Sequence, residues 1–305
     1  MAAGTYVVTA FTSLEQKIDT AAHAVLARLP QHGLAGAAVE FTVFGLKQAW
    51  ACLFGGVMLG LIILSALAWP DHAALARYDA LFFAAILLQA AMLAFKLEQP
   101  SEAIVIFIFH VVGTGMELFK TAHGSWVYPE PSIFHLGGVP LFSGFMYAAV
   151  GSYLARVTRI FDFRFSNYPP RWATALLAVG IYANFFTHHY MPDLRLFLFA
   201  ATVLLFWRCS VHYRVFRFRH RMNMLLGFFL VTLFIWFGEN IGTFTRTWLY
   251  PNQVTAWSLV SLGKLSSWYL LMIISFVLVN SVHRPKAYEP EEVSVQKSAS
   301  PQQAA

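Results

Sequence analysis

Apolar residues run along most of the chain in unbroken blocks separated by short polar links. The blocks are about 20 residues long, the length a helix needs to cross a hydrocarbon core. They lack the period-two alternation of a transmembrane barrel. Eight spans follow, at roughly 48–69, 79–97, 102–120, 135–156, 171–190, 194–209, 223–244 and 256–282, the sixth being short. Pro100 lies between the second and third. Lys96, Glu98, Gln99, Ser101 and Glu102 cluster there, and such a cluster is costly at mid-bilayer, so two spans are expected rather than one kinked span. Residues 1–46 read as a cytoplasmic N-terminal segment without the charged start and cleavage pattern of a signal peptide. Within it Ser13-Leu14-Glu15-Gln16 resembles a capping box. Leu14, Ile18, Ala21, Val25 and Leu29 then recur at helical spacing, which predicts an amphipathic helix lying on the membrane or packed on the bundle. Residues 285–305 are polar and Pro-bearing, and read as a disordered cytoplasmic tail.

One pattern occurs twice. ELFKTAHGSWVYP (117–129) and ENIGTFTRTWLYP (239–251) share a leading Glu and a W-x-Y-P whose Trp comes nine residues later. At the same offset of 122 residues, Trp126 meets Trp248, Tyr128 meets Tyr250, and Tyr147 meets Tyr269. The chain therefore reads as two four-span halves, 47–165 and 166–284. Four is even, so both halves enter the membrane with one orientation, as a parallel repeat about an axis along the membrane normal. The expected fold is an all-α bundle of eight transmembrane helices built as two parallel four-helix repeats, with Glu117 and Glu239 at one depth. Most of the Trp and Tyr rings read as an interfacial aromatic belt. The glutamates do not, because an acid more than a turn inside a span usually faces a cavity or a partner. Lys264, about two turns into the last span, is placed to pair with one of them.

Composition sharpens this picture. With 58% hydrophobic and 12% charged residues, a soluble globular chain is excluded. Both cysteines, Cys52 and Cys209, fall in apolar runs, so no disulfide framework is implied. Sixteen of the 21 Lys and Arg fall in the segments on the N-terminal side of the membrane, and four in the opposite loops. That bias predicts both termini in the cytoplasm and residence in the inner (plasma) membrane. The segment RCSVHYRVFRFRHR (208–221) dominates it and reads as an anchor for anionic lipid, not as a nucleic-acid footprint.

Candidate chemistry gathers on the outer side. His110 precedes Glu117 by seven residues and shares its helix face. His123, His188, His189 and Asp193 are weak metal candidates, since imidazole and carboxylate suit zinc or iron. No H-E-x-x-H, G-x-S-x-G or P-loop is present, and no pattern specifies a cofactor. The leading reading is a membrane-embedded enzyme. Glu117 and Glu239 would be its general acid/base residues, tuned by His110 and Lys264. Trp126, Tyr128, Tyr147, Asn240, Trp248, Tyr250 and Tyr269 would seat a lipid or isoprenoid-like substrate. The alternative is a transporter or channel with a small-ion or metabolite site on the pseudo-twofold axis, though matching Gly/Pro interruptions are missing. A scaffold or sensor binding a partner through the basic inner face is a third reading. Expected partners are membrane lipids and an apolar small molecule, without nucleic acid.

The stretches FKLEQPSEAIVIFIFHVVGTGMELFKTAHGSWVYPEPSIFHLGGVPLFSGFMYAAVGSYLAR, FDFRFSNYPP and FGENIGTFTRTWLYPNQ resemble a bacterial integral-membrane family known as domain of unknown function 817, over roughly residues 45 to 285. The resemblance implies a coherent membrane family and supplies no activity or catalytic residues. A weaker, partial similarity links the Glu, aromatic and Pro pattern to the membrane carotenoid cyclases and hydratases. The PxE(E/D) signature of the cyclases is missing, so their substrate and mechanism do not carry over.

Overall fold

The computed structural model describes residues 12–29, 33–70 and 72–290. Helix α1 (Ser13–Leu26) is opened by Thr12, not Ser13. The Thr12 hydroxyl accepts from the Glu15 N–H at 3.3 Å, and the Glu15 carboxylate accepts from the Thr12 N–H at 2.9 Å. A capping box is present, but it pairs Thr12 with Glu15, one residue earlier than the expected Ser13 and Gln16. An apolar helix follows, α2 (Gly33–Ala51), in a stretch expected to belong mostly to a surface segment. It carries only Glu40 and Lys47 as charges. It meets α3 (Leu53–Ala68) at a 71° bend, so the expected first span is split over a broken helix pair.

Helices α4 (Arg77–Ala94) and α5 (Pro100–Ala122) are separate, as the charged cluster between them predicts. Gln99 and Glu102 form a capping box for α5, and Pro100 occupies its first turn, where a missing N–H costs nothing. A two-residue hairpin, β1 (His135–Leu136) with β2 (Val139–Pro140), leads into α6 (Phe142–Ile160). Then come β3 (Arg164–Ser166), α7 (Arg171–Thr187), α8 (Arg195–Phe206), β4 (Ser210–Arg214), β5 (Arg219–Asn223), α9 (Met224–Phe244) and α10 (Leu262–Val282). The fold is all-α apart from two small antiparallel sheets. Among the described residues, α4, α5, α9 and α10 are long and apolar enough to cross a membrane, and the bent α2–α3 pair is a fifth candidate. That is fewer than the eight spans the hydropathy blocks suggest. α7 and α8 have 17 and 12 residues, and α6 carries Arg156 and Arg159 in its second half.

The basic stretch 208–221 is not an open loop. β4 pairs with β5, from Ser210↔Asn223 to Arg214↔Arg219, and β3 adds on the other side of β4. The chain after α10 joins this sheet: Phe165 N–H donates to Lys286 at 2.8 Å, and Tyr288 N–H donates to Phe165 at 2.9 Å. The Tyr288 ring stacks on His212 at 3.7 Å. The expected tail is therefore paired at 286–288, and its part from 291 onward lies outside the described residues.

At the same end of the bundle Arg159 bridges Glu15 of α1 and Glu102 of α5, the latter at 2.8 Å. Arg156, wholly buried, donates to the carbonyls of Leu97 and Trp50 at 3.0 Å each. The acids near Pro100 are thus internal, Glu102 paired with Arg159 and Glu98 held by Gln89 and Ser152, as burial demands, while Lys96 is exposed. The Arg159 bridge fastens α1 to the bundle, the second of the two expected placements for that helix. The main core lies between α5, α6, α7, α8, α9 and α10, around Phe109, Ala148, Phe206, Phe228, Met272 and Phe276.

Candidate functional site

Glu117 and Glu239 each lie five residues before the last residue of their helices, α5 and α9. The two helices also end alike. Gly124 takes φ 64° and Arg246 takes φ 54°. Beyond them Ser125 N–H donates to Lys120, and Thr247 N–H donates to Gly242, both at 2.9 Å. A left-handed residue closed by a bond of this span turns the chain back along the helix it has left. The nine-residue spacing follows from that reversal, which brings each Trp level with its own Glu. Trp126 Nε1 donates to Glu117 Oε2 at 2.7 Å, and Trp248 Nε1 donates to Glu239 Oε1 at 2.8 Å. The tyrosines repeat the contact: Tyr128 OH donates to Glu117 Oε2 at 2.8 Å, and Tyr250 OH to Glu239 Oε1 at 2.6 Å. Gly242 permits this on α9, since a Cβ there would collide with the Trp248 indole.

The two returning segments also pair with each other. Val127 and Leu249, the middle residues of the two W-x-Y triplets, exchange backbone bonds at 2.9 Å in both directions. Tyr78 OH of α4 holds the Thr247 carbonyl at 2.8 Å. Asp79 fixes the chain beyond Pro129 by accepting from Ser132 at 2.7 Å and from the Ile133 and Phe134 N–H groups at 2.9 Å. The four W-x-Y rings are therefore inward-turned donors to the carboxylates, and the belt expectation fails for them. Both glutamates are buried, 5% and 7% exposed.

The expected ion pair is absent among the described residues. Lys264 lies over the Tyr250 ring at 4.3 Å and the Trp126 ring at 6.0 Å, a cation–π position beside Glu239. The two acids also differ. Tyr147 OH donates to Glu117 Oε1 at 2.8 Å, so both Glu117 oxygens are engaged. Its counterpart Tyr269 stacks on Phe199 and reaches the Leu225 carbonyl at 3.4 Å, at the far end of α9. Leu225 is about 21 Å along the helix from Glu239, so Tyr269 is not part of the site. Glu239 Oε2 consequently accepts no hydrogen bond from the described residues.

Two other expected members stand apart. His110 shares the Glu117 face, but its ring lies against Phe145 at 4.4 Å, and its Nδ1 is buried without a partner among the described residues. Asn240 donates to the Trp236 carbonyl at 2.8 Å and accepts from Val260 N–H at 2.9 Å, so it staples the entry to α10.

The weak metal candidates do meet, around a lysine. Lys120 Nζ lies 2.8 Å from His189 Nε2 and 3.3 Å from His188 Nε2. His188 Nδ1 is held by the Asn184 carbonyl at 2.8 Å and His123 Nδ1 by the Phe119 carbonyl at 2.9 Å, which leaves their Nε2 atoms as acceptors. His123 Nε2 takes the Tyr190 hydroxyl at 2.5 Å. Asp193 turns away to Asn184 and Arg195. Burial works against its charge, but bonds from Asn184 and the Arg195 N–H, with the Arg195 charge, hold its carboxyl below the usual range. Among the described residues no group of three or more His, Cys, Asp or Glu is arranged to hold a metal. Lys120 and Tyr190 were missed from sequence, although Lys120 stands one turn beyond Glu117 on the same helix face.

A family model described as "Protein of unknown function (DUF817)" matches residues 40–276. The chain is 43% identical over 258 residues to the uncharacterized protein YoaT of Bacillus subtilis (strain 168), an overlap that covers 84% of this chain and 97% of that one. No solved structure matches.

Proposed function

We propose that this chain, which belongs to the DUF817 family, is a membrane-embedded enzyme that uses its paired glutamates in acid/base chemistry on a lipid or isoprenoid-like substrate. One observation carries the reading: two buried carboxyl groups are held by phenol and indole donors, with no cation at ion-pair distance among the described residues. A purely structural acid in an apolar bundle is ordinarily neutralised by a cation. These are instead held by weak acids that leave room for a proton to come and go. Glu239, with Oε2 unengaged, is the group that exchanges it, and Glu117, held at both oxygens, shapes the field beside it. An apolar crevice of about 30 Å³ between α5, α6, α9 and α10, lined by Phe109, Met116, Tyr147, Ile235, Trp268 and Met272, is where an apolar chain would enter, and these helices must part to admit one. It reaches Glu117 through Tyr147.

The architecture proposed with this function is the eight-span, two-half bundle, α3–α6 and α7–α10. The matching helix exits of α5 and α9 support it. At 12 residues α8 crosses only part of a bilayer. Both termini and the basic sheet belong on the cytoplasmic face of the plasma membrane, and the partners are membrane lipids and an apolar small molecule. Complementation tests the enzyme. A deletion strain carrying Glu239→Gln should keep the altered lipid profile of the deletion. If folded Glu239→Gln and Glu117→Gln proteins both restore the wild-type profile, the acid/base role is wrong.

A transporter with its site on the same axis is the second reading, favoured by the unengaged Glu239 oxygen, which could hold a proton or small cation. Gradient-driven uptake into liposomes that is lost in Glu239→Gln would select it over the enzyme.

A further inference from the structure

Three cations meet at the ends of α5, α8 and α10, beside the two glutamates. Lys120 is only 5% exposed, yet among the described residues no carboxylate lies within 4.0 Å of its ammonium. The groups holding it are neutral: the Nε2 atoms of His189 and His188, and the Phe185 ring at 4.3 Å. Lys264, partly buried on α10, is likewise held by rings rather than by an acid. Arg195 completes the group. It pairs with Asp193 at 3.2 Å and donates to Ser266, two residues beyond Lys264, at 3.3 Å. Contacts join the three: Lys264 lies over the Trp126 ring, whose indole bonds Glu117 one turn before Lys120, and Arg195 is linked through Asp193 and Asn184 to His188, which holds Lys120. Three cations thus share one ion-paired carboxylate, with Glu239 adding a second only when it is ionised. Gathering like charges at a membrane protein's end is unfavourable unless an anion answers them.

The donors define the anion. Two ammonium groups and a guanidinium approach from three helices, and His189 lies at the exposed rim. Several N–H donors from different directions suit a tetrahedral oxyanion with several acceptor oxygens better than a planar carboxylate. We propose that Lys120, Lys264 and Arg195, with His188 and His189, form a binding site for a phosphate-type oxyanion. Making that phosphate the headgroup of the substrate lipid rests on the acid/base reading above; the site itself does not.

The test uses the full-length protein in an uncharged detergent. Inorganic phosphate and dihexanoylphosphatidic acid are titrated separately by calorimetry, with dihexanoylphosphatidylcholine as the zwitterionic control. Saturable binding of at least one of the first two is expected, weakened at least about ten-fold in Lys120→Met/Lys264→Met, the loss expected for charge-assisted bonds. Phosphate binding alone assigns the site to a soluble oxyanion, and binding of phosphatidic acid but not phosphate assigns it to a headgroup. Arg208→Met, at the opposite end of the bundle, should bind as wild type does. If the double variant does not fold, Lys264→Met by itself should show the ten-fold loss. The site is refuted if neither ligand saturates, if a folded variant binds as tightly as wild type, or if Arg208→Met weakens binding equally. Glu239→Gln is expected to retain or tighten oxyanion binding. Retained binding together with a wild-type lipid profile would sink the enzyme reading and spare this site.

Discussion

Tyr147 and Tyr269 are 122 residues apart and occupy equivalent places in GFMY and SSWY, yet they should respond differently to the same change. Phenylalanine at 147 keeps the ring, its packing against Trp268 at 6.4 Å and its close pass over Gly113. Only the hydroxyl is lost, and with it, among the described residues, the sole donor to Glu117 Oε1, at 2.8 Å. Removing a hydrogen bond to a charged or buried acceptor costs about 1.5–3 kcal/mol. At Tyr269 the hydroxyl makes a 3.4 Å contact to a backbone carbonyl, and the ring stays stacked on Phe199. Its loss should cost under about 0.5–1 kcal/mol. At roughly 2–3 °C per kcal/mol for a long chain, Tyr147→Phe should melt about 3–9 °C below wild type, and Tyr269→Phe less than about 1–3 °C below. Differential scanning fluorimetry of the detergent-solubilised proteins reads both. Equal shifts, or a larger one for Tyr269→Phe, would refute the claim that Tyr147 belongs to the carboxylate site and Tyr269 does not.

Gly124→Ala tests the helix exit without steric interference, because a Cβ there meets nothing within 4 Å while φ is 64°. The left-handed conformation alone should cost about 1–2 kcal/mol in the same melting assay. Arg159→Met leaves Glu15 and Glu102 buried without their shared cation. It should destabilise by about 3–5 kcal/mol and raise hydrogen exchange across Ser13–Leu26 before the rest of the bundle, as read by mass spectrometry. Asp162, outside the spanning helices, sets a pH dependence. Burial favours its protonated form, but the hydrogen bond from Arg219 and the charge of Arg164 outweigh burial and hold its carboxyl below the usual range. A depressed pKa gives a contribution fully present above the unfolded value of about 3.9 and lost as pH falls through the folded value. The melting gap between wild type and Asp162→Asn should therefore be constant from about pH 6 to 8 and shrink below about pH 4; a gap that grows on acidification would reverse the assigned sign.

The hydropathy blocks were enough for the helical class and for the existence of α3 to α7, α9 and α10, because a run of apolar residues has few alternatives in lipid. Of the eight blocks, four helices and one bent pair have the length and composition of a span among the described residues. Length and charge along a block do not reveal that α8 stops after 12 residues or that a bend at Cys52 divides one block between two helices. The sheet around 208–223 and its partner at 286–288 were invisible for another reason: strand pairing is a contact between distant segments, and basic residues drew the eye to topology instead.

At the site, the sequence by itself determined the pair of acids, the nine-residue spacing and the W-x-Y-P that answers each acid. These are local. A helix, a left-handed exit at Gly124 or Arg246 and a returning strand all lie within a dozen residues, and their geometry is the same wherever they occur. Tertiary structure alone decided which way the rings face, that Val127 and Leu249 join the two returns, that Lys264 rests on aromatic faces, and that Lys120 draws in the two histidines that follow α7. It also broke the symmetry the repeat implies, since Tyr147 reaches Glu117 while Tyr269 faces another layer of the bundle. Spacing along one helix sets which side chains share a face. Which neighbour that face meets depends on packing between segments more than a hundred residues apart, where two equivalent tyrosines find different surroundings.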